Sequence, residues 1–192
     1  MQKTKTVRQK TDMHNRKRLF FALWPPREVA MQIFSAAKML PTSANSSLVR
    51  REQLHLTMAF LDTVSNDRLA DVCRAANQAI TKHITCFNLH LNRFGQFRKN
   101  GIVWLGTDHP PKAMLSLAAE LADKLQTAGF HLDAKQFAAH VTLLRKTKHQ
   151  LSVTLPRPSI FWQVEDMALT ESQLTASSSR YQILYRWPLA AS

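Results

Sequence analysis

Two short stretches carry the residues that could do chemistry: Leu54-His55-Leu56-Thr57-Met58-Ala59-Phe60 and Ala139-His140-Val141-Thr142-Leu143-Leu144-Arg145. Each is an apolar run interrupted by a histidine and, two residues later, a threonine. In an extended strand side chains alternate faces, so His and Thr two apart share one face and the apolar residues take the other. Two such polar rows turned toward one cleft would bring together two imidazoles and two hydroxyls. Near neutral pH one imidazole can accept a proton while the other donates one, since the ordinary histidine pKa is about 6.5. That is general acid and general base in one cleft, with hydroxyls to hold an oxyanion. Metal-free displacement at phosphorus fits this equipment, above all the opening of a strained cyclic phosphodiester whose leaving oxygen stays tethered.

The pattern alone is cheap. His83-Ile84-Thr85 repeats it, but at a helix-to-strand handover with no apolar lead-in. His14, His90, His109, His131 and His149 fall in the tail, on an exposed strand face or in loops. What gives the pair weight is its setting. A strand starting at Leu19, then a helix, leads to His55 after 36 residues; a strand starting at Ile102, then a helix, leads to His140 after 38. This predicts a duplicated lobe, with the two histidines meeting at a pseudo-twofold.

Other chemistries lack support. The two histidines have no carboxylate pair or cysteine cluster to make a metal site. Cys73 and Cys86 read as buried thiols, too few for a disulfide framework. With four glycines and no Gly-rich phosphate loop, nothing points to ATP, and no Gly-x-Ser-x-Gly elbow is present. No apolar run is long enough to span a bilayer, and the basic N-terminus has no apolar core behind it, so the expected setting is cytoplasmic. The 192 residues carry a net charge of +13, which favours a polyanionic partner, nucleic acid first.

The elements that must position the motifs follow from periodicity. Residues 1–17 read as a disordered basic arm and 18–192 as a single bilobal domain. Arg18 to Trp24 reads as a buried strand ended by Pro25-Pro26, with Pro26 in the first turn of a helix over Val29 to Leu40. The first His-x-Thr strand is expected to close near Asp62, and Ser65 to cap a helix through Ile80. Phe87 to Phe94 alternates as one strand, Gln96 to Gly101 as a turn, Ile102 to Leu105 as a strand. Pro110-Pro111 opens a helix ended at Gly129. Two last strands are expected over Phe161–Leu174 and Arg180–Trp187. Phe20, Phe97 and Trp104 read as core aromatics.

The segments Leu54 to Leu61 and His140 to Arg145 resemble the two motifs of the 2H phosphoesterases, in particular their bacterial RNA 2′,3′-cyclic phosphodiesterase (2′-5′ RNA ligase) branch. Arg18 to Ala22, Val103 to Gly106 and the Tyr181 to Trp187 strand agree, so the likeness runs from about Arg18 to Leu189. The resemblance implies an α+β, bilobal duplicated fold: two antiparallel sheets flanking a central cleft, with helices on the outer faces. It implies hydrolysis of RNA 2′,3′-cyclic phosphate ends to 2′-phosphomonoesters with no cofactor and no metal, and leaves room for the reverse joining of ends. By position His55 is the implied proton donor, His140 the proton acceptor, and Thr57, Thr142 and Arg145 the phosphate ligands. Arg145 has the wrong parity relative to His140 for an ideal strand, so the strand must end or twist before it. Ala139 and Asp62 stand where the family often has Pro and Gly, and the basic arm is an addition. The expected partner is RNA, the expected state a monomer. A related phosphodiesterase acting on 2′-5′ oligonucleotides or small cyclic nucleotides, or an RNA-binding module with structural histidines, are the alternatives.

Overall fold

The computed structural model describes residues 15–42, 45–81, 83–132, 137–148, 150–151, 157–174 and 179–191. The first strand is buried on both faces from Leu19 to Leu23, as its unbroken apolar run requires. This strand, β1 (Arg16–Leu23), lies between β3 (Leu56–Ser65) and β9 (Asp166–Leu174), antiparallel to both. Arg16 and Lys17 therefore belong to the strand, which starts two residues earlier than its apolar run; residues 1–14 of the expected arm lie outside the described residues. β10 (Ser179–Pro188) pairs with β9 and completes one half of the large sheet.

The other half consists of β5 (Arg93–Phe97), β6 (Ile102–Gly106) and β7 (His140–Arg145), again antiparallel. The short β2 (Ser47–Leu48) pairs with the end of β7. The halves join through β3 and β7 at one Cα pair, Leu56 with Val141, giving the order β10-β9-β1-β3-β7-β6-β5. A second, two-stranded antiparallel sheet consists of β4 (Phe87–Leu91) and β8 (Ile160–Val164). The α+β class, the two antiparallel sheets and the strand–helix–strand repeat are thus present.

Among the described residues three α-helices pack into the core, each with a row of buried residues at helical spacing. In α1 (Arg27–Lys38) the row is Val29, Ala30, Ile33 and Ala37. Pro26 is its N-cap residue, one place earlier than expected, and its carbonyl takes the Ala30 N–H. α2 (Leu69–Ala79) and α3 (Lys112–Thr127) pack against each other. Ser65 does not cap α2: a 3-10 turn over Asn66–Arg68 intervenes, and the Ser65 side chain makes no capping bond. At the end of α3, Gly129 takes a φ of 81°; its N–H bonds Gln126 and that of Phe130 bonds Leu125, closing the last turn.

Two expected strands are each split. The run Phe87 to Phe94 breaks at Asn92, whose N–H donates to the Gly106 carbonyl while its side-chain oxygen accepts from the Asp108 N–H. The chain thereby leaves the β4–β8 pair and enters the large sheet as β5, which runs to Phe97 before the turn that ends at Gly101. The Phe161 to Leu174 run breaks at Glu165, whose carbonyl takes the Leu189 N–H. β3 does not close near Asp62. It continues to Ser65 through a bulge at Leu61, with Asp62 at a φ of 54°. A glycine reaches that backbone without penalty, and Asp is among the residues that tolerate it.

Candidate active site

Both histidines are set by the same local device. His55 enters β3 from a 3-10 turn over Arg51–Gln53, and its Nδ1 lies 2.7 Å from the Gln53 carbonyl oxygen. His140 opens β7, and its Nδ1 lies 2.7 Å from the Ala138 carbonyl oxygen. A carbonyl can only accept, so each Nδ1 carries the proton and donates. Nε2 is left as the nitrogen each ring offers the cleft. The bond runs to the residue two before in both cases, which is the duplication repeated at atomic scale.

The sheet register supplies the rest. With Leu56 opposite Val141, one further step in either direction along that antiparallel register sets Thr57 toward His140 and His55 toward Thr142. The pseudo-twofold of the sequence repeat thus passes through the Leu56–Val141 pair. The two His-x-Thr rows lie on one face of the sheet, while Leu56 and Val141, fully buried, lie on the other.

Arg145 joins them through an irregularity that periodicity does not show. In β7, Thr142 faces Trp104 and Leu144 faces Val103, so Leu143 is an extra residue. This bulge lets Leu143 and Leu144 both bury and returns Arg145 to the polar side. The strand does not end before Arg145; it bulges, and the parity problem disappears. Arg145 lines a cavity of about 840 Å³ with His55, Thr57, Gln53, Arg18 and Tyr181. A second groove, of about 990 Å³, runs from His140 along the Leu115, Ala118 and Ala122 face of α3. Thr57 and Phe60 line both cavities, which therefore meet beside the histidines. Thr142 is half-buried in β7 and lines neither cavity.

Each imidazole is walled by aromatic rings. Around His55 stand Trp24, Phe20 and Tyr181, with ring centroids 4.9, 5.0 and 5.2 Å away. Around His140 stand Phe97 at 5.0 Å and Trp104 at 6.1 Å. Phe20, Phe97 and Trp104 are therefore more than core filler: they face the histidines. Trp24 and Tyr181 carried no sequence signal for such a place. Trp104 lies flat over two glycines; a Cβ on Gly95 would meet its ring at 2.1 Å, and one on Gly106 would meet the Ala139 carbonyl oxygen at 2.7 Å.

This apolar walling sets the electrostatics. Burial pushes His55 down from 6.5 to about 4; the Nδ1 bond to Gln53 opposes this, and the Arg145 guanidinium and His140 reinforce it. Burial also lowers His140, again opposed by its carbonyl bond and reinforced by Arg145. Both rings are thus held toward the neutral form, whereas the ordinary histidine pKa suggests one neutral and one protonated. Arg145 acts on both, so its charge is within electrostatic reach of each ring.

Among the described residues the other histidines line neither cavity. His83 is an exposed turn residue. His90 bonds Ser159, and His109 and His131 are exposed in loops; His14 and His149 lie outside the described residues. Cys73 and Cys86 are half-buried rather than buried, and burial raises the Cys73 thiol. Among the described residues no three His, Cys, Asp or Glu side chains converge as metal ligands, and no helix is long and apolar enough to cross a membrane.

Residues 25–176 match the family described as the 2′-5′ RNA ligase superfamily. The chain is 34% identical over 183 residues to the RNA 2′,3′-cyclic phosphodiesterase of Escherichia coli K12, a match covering 92% of this chain and 99% of that protein. It is 25% identical over 177 residues to the RNA 2′,3′-cyclic phosphodiesterase of Thermotoga maritima, covering 88% and 93% of the two chains. Its fold is similar to the crystal structure of E. coli LigT complexed with 3′-AMP, with a TM-score of 0.82 and 31% identity over 91% of this chain and 98% of that one.

Proposed function

The chain belongs to the 2′-5′ RNA ligase superfamily, and from that premise we propose that it is an RNA 2′,3′-cyclic phosphodiesterase using two histidines as acid and base. The observation that carries this reading is the matched pair: two imidazoles, each with Nδ1–H fixed on the carbonyl two residues before, on facing strands beside one guanidinium.

His140 Nε2 takes a proton from water as the water oxygen bonds to phosphorus. The P–O3′ bond breaks, and His55 Nε2–H gives its proton to O3′, leaving the phosphate on O2′. Thr57, Thr142 and Arg145 hold the non-bridging oxygens and balance the growing charge. Water attack and O3′ departure require groups on opposite sides of the phosphorus, which the pseudo-twofold supplies. The low basicity of His55 acquires a purpose here. In the free protein burial, reinforced by the Arg145 charge, keeps it neutral. A phosphate anion seated on Arg145 reverses the local field and draws a proton onto His55, so the acid is charged when the substrate arrives. With a 5′-hydroxyl in place of water and the roles unchanged, His140 taking the hydroxyl proton and His55 giving its proton to O3′, the same groups join two RNA ends through a 2′-5′ bond. Such a protein works in solution as a monomer in the cytoplasm, its partner being RNA.

The test is turnover of an RNA bearing a 2′,3′-cyclic end, in EDTA, with identification of the phosphate position left behind. A 2′-phosphomonoester is expected. His55→Ala and His140→Ala should each lower kcat by about 10²–10⁴, and the double variant by little more than the worse single. Activity surviving both substitutions, or lost in EDTA, would sink the mechanism. Equal kcat/KM on 2′-5′ oligonucleotides would instead move the substrate to that class.

A further inference from the structure

The small β4–β8 sheet has an outer face that the chemistry above does not use. Phe87, Leu89 and Leu91 of β4 and Ile160, Trp162 and Val164 of β8 are buried; Asn88, His90, Phe161 and Gln163 alternate with them and point outward. His90 and Phe161 are direct cross-strand partners, and their rings stack in parallel, 4.3 Å apart and 3° from coplanar. Phe161 is nevertheless 66% exposed, the most open of the large apolar side chains among the described residues. One ring face rests on the imidazole, so the exposure belongs to the other face and the edge. A single surface phenylalanine is ordinary; one held flat by a partner ring, with the cross-strand amide pair Asn88 and Gln163 as its neighbours on the same face, is a stacking platform.

The platform is tied to His140 by an unbroken series of contacts. The ring beside His140 is Trp104, and Arg93 stands 5.4 Å over that ring. Arg93 and Arg157 share Asp108, at 3.3 and 3.4 Å. Arg157 is 84% exposed and two residues before Ser159, whose hydroxyl lies 3.0 Å from His90 Nε2. The two arginines share that one carboxylate, so a cation is left over on the path between cleft and platform. The backbone gives the scale: His90 is two residues from Asn92, Asn92 bonds Gly106, and Gly106 faces His140. At about 3.3 Å per residue and about 4.8 Å between strands, the path is roughly 15 Å, the reach of a few nucleotides. Glu165 lies beyond the end of β8 that points away from the cleft.

We propose that the outer face of β4–β8, centred on the Phe161–His90 stack, binds the single-stranded RNA that lies 5′ of the cyclic end. The ligand class rests on the phosphodiesterase reading. The rest follows from chemistry: a free aromatic face stacks any base, Asn88 and Gln163 offer donors and acceptors to its edge, and Arg93 and Arg157 meet the intervening phosphates. The enzyme would then prefer a polymer over a mononucleotide carrying the same end.

The test compares an RNA of about eight nucleotides with a dinucleotide, both ending in a 2′,3′-cyclic phosphate. Phe161→Ala should raise KM for the longer RNA about tenfold and leave both constants for the dinucleotide unchanged. Phe161→Trp should restore the wild-type KM and Phe161→Leu should not, because stacking needs a π face. An unchanged KM for the longer RNA, or full restoration by leucine, overturns the proposal. Should wild type turn over neither substrate, the phosphodiesterase reading fails and the platform is judged by fluorescence anisotropy with the longer RNA. About tenfold weaker binding in Phe161→Ala supports it; equal binding, or no binding by wild type, overturns it. Self-association lost in Phe161→Ala with RNA binding intact would assign the face to a protein contact instead.

Discussion

Acid should unfold this protein through His55, by an amount its environment sets. A histidine at 6.5 in the unfolded chain and about 4 in the folded one binds its proton more readily when unfolded. Above pH 6.5 both states are neutral and the stability is fully present. Below it the unfolded state protonates first, so stability falls as pH drops toward 4. The shift of about 2.5 units, at about 1.36 kcal/mol each, is about 3 kcal/mol by pH 4. That is a large fraction of the 5–15 kcal/mol typical of a domain, as an order of magnitude. The assay is urea unfolding of wild type and His55→Gln at a series of pH values from 7.5 to about 4. Glutamine keeps a polar side chain in the aromatic cage but cannot take up a proton there. Its own effect on packing is the same at every pH and cancels from the slope. Wild type should lose about 3 kcal/mol more than His55→Gln across that range. Parallel curves for the two proteins would show that His55 titrates near its ordinary value, and the account of substrate-driven protonation would fall with it.

Replacing Arg145 with alanine removes the charge that presses on both rings, so His55 and His140 should both titrate higher by NMR. The same variant should lose about 10²-fold in kcat if, as proposed, Arg145 is a charged ligand of the phosphate. An unmoved pair of titrations would remove Arg145 from the site. Gly106→Ala places a Cβ 2.7 Å from the Ala139 carbonyl, beside the residue that opens β7. It should cost about 1–3 kcal/mol in denaturant unfolding and disturb the His140 ring, seen as a changed His140 titration. Deleting residues 1–14, which carry Lys3, Lys5, Arg8 and Lys10 against Asp12, should weaken RNA binding and flatten its salt dependence, read as the slope of log affinity against log salt. An unchanged slope would show that the arm meets no phosphate.

The residues proposed to carry the chemistry are legible in local sequence, and for a physical reason. A strand has a period of two, so His55 with Thr57 and His140 with Thr142 declare a shared polar face by their spacing alone. The helices announce themselves through the spacing of their buried residues, and near-equal distances from strand to histidine announce the duplication. The 2.7 Å bonds from Nδ1 to the carbonyl two residues before belong to the same short range. Tertiary structure decided whatever depends on how segments lie against each other. Periodicity cannot foresee a bulge, because the extra residue exists only relative to a partner strand; Leu143 and Leu61 are such residues, and the first delivers Arg145 to the cleft. Nor can it show that Asn92 and Glu165 divide apparently continuous strands, since the dividing hydrogen bonds reach Gly106, Asp108 and Leu189. The protonation of the histidines lay equally out of reach. A pKa near 6.5 is a property of the side chain, whereas about 4 is a property of Trp24, Phe20, Tyr181 and Arg145 gathered around it from separate parts of the chain.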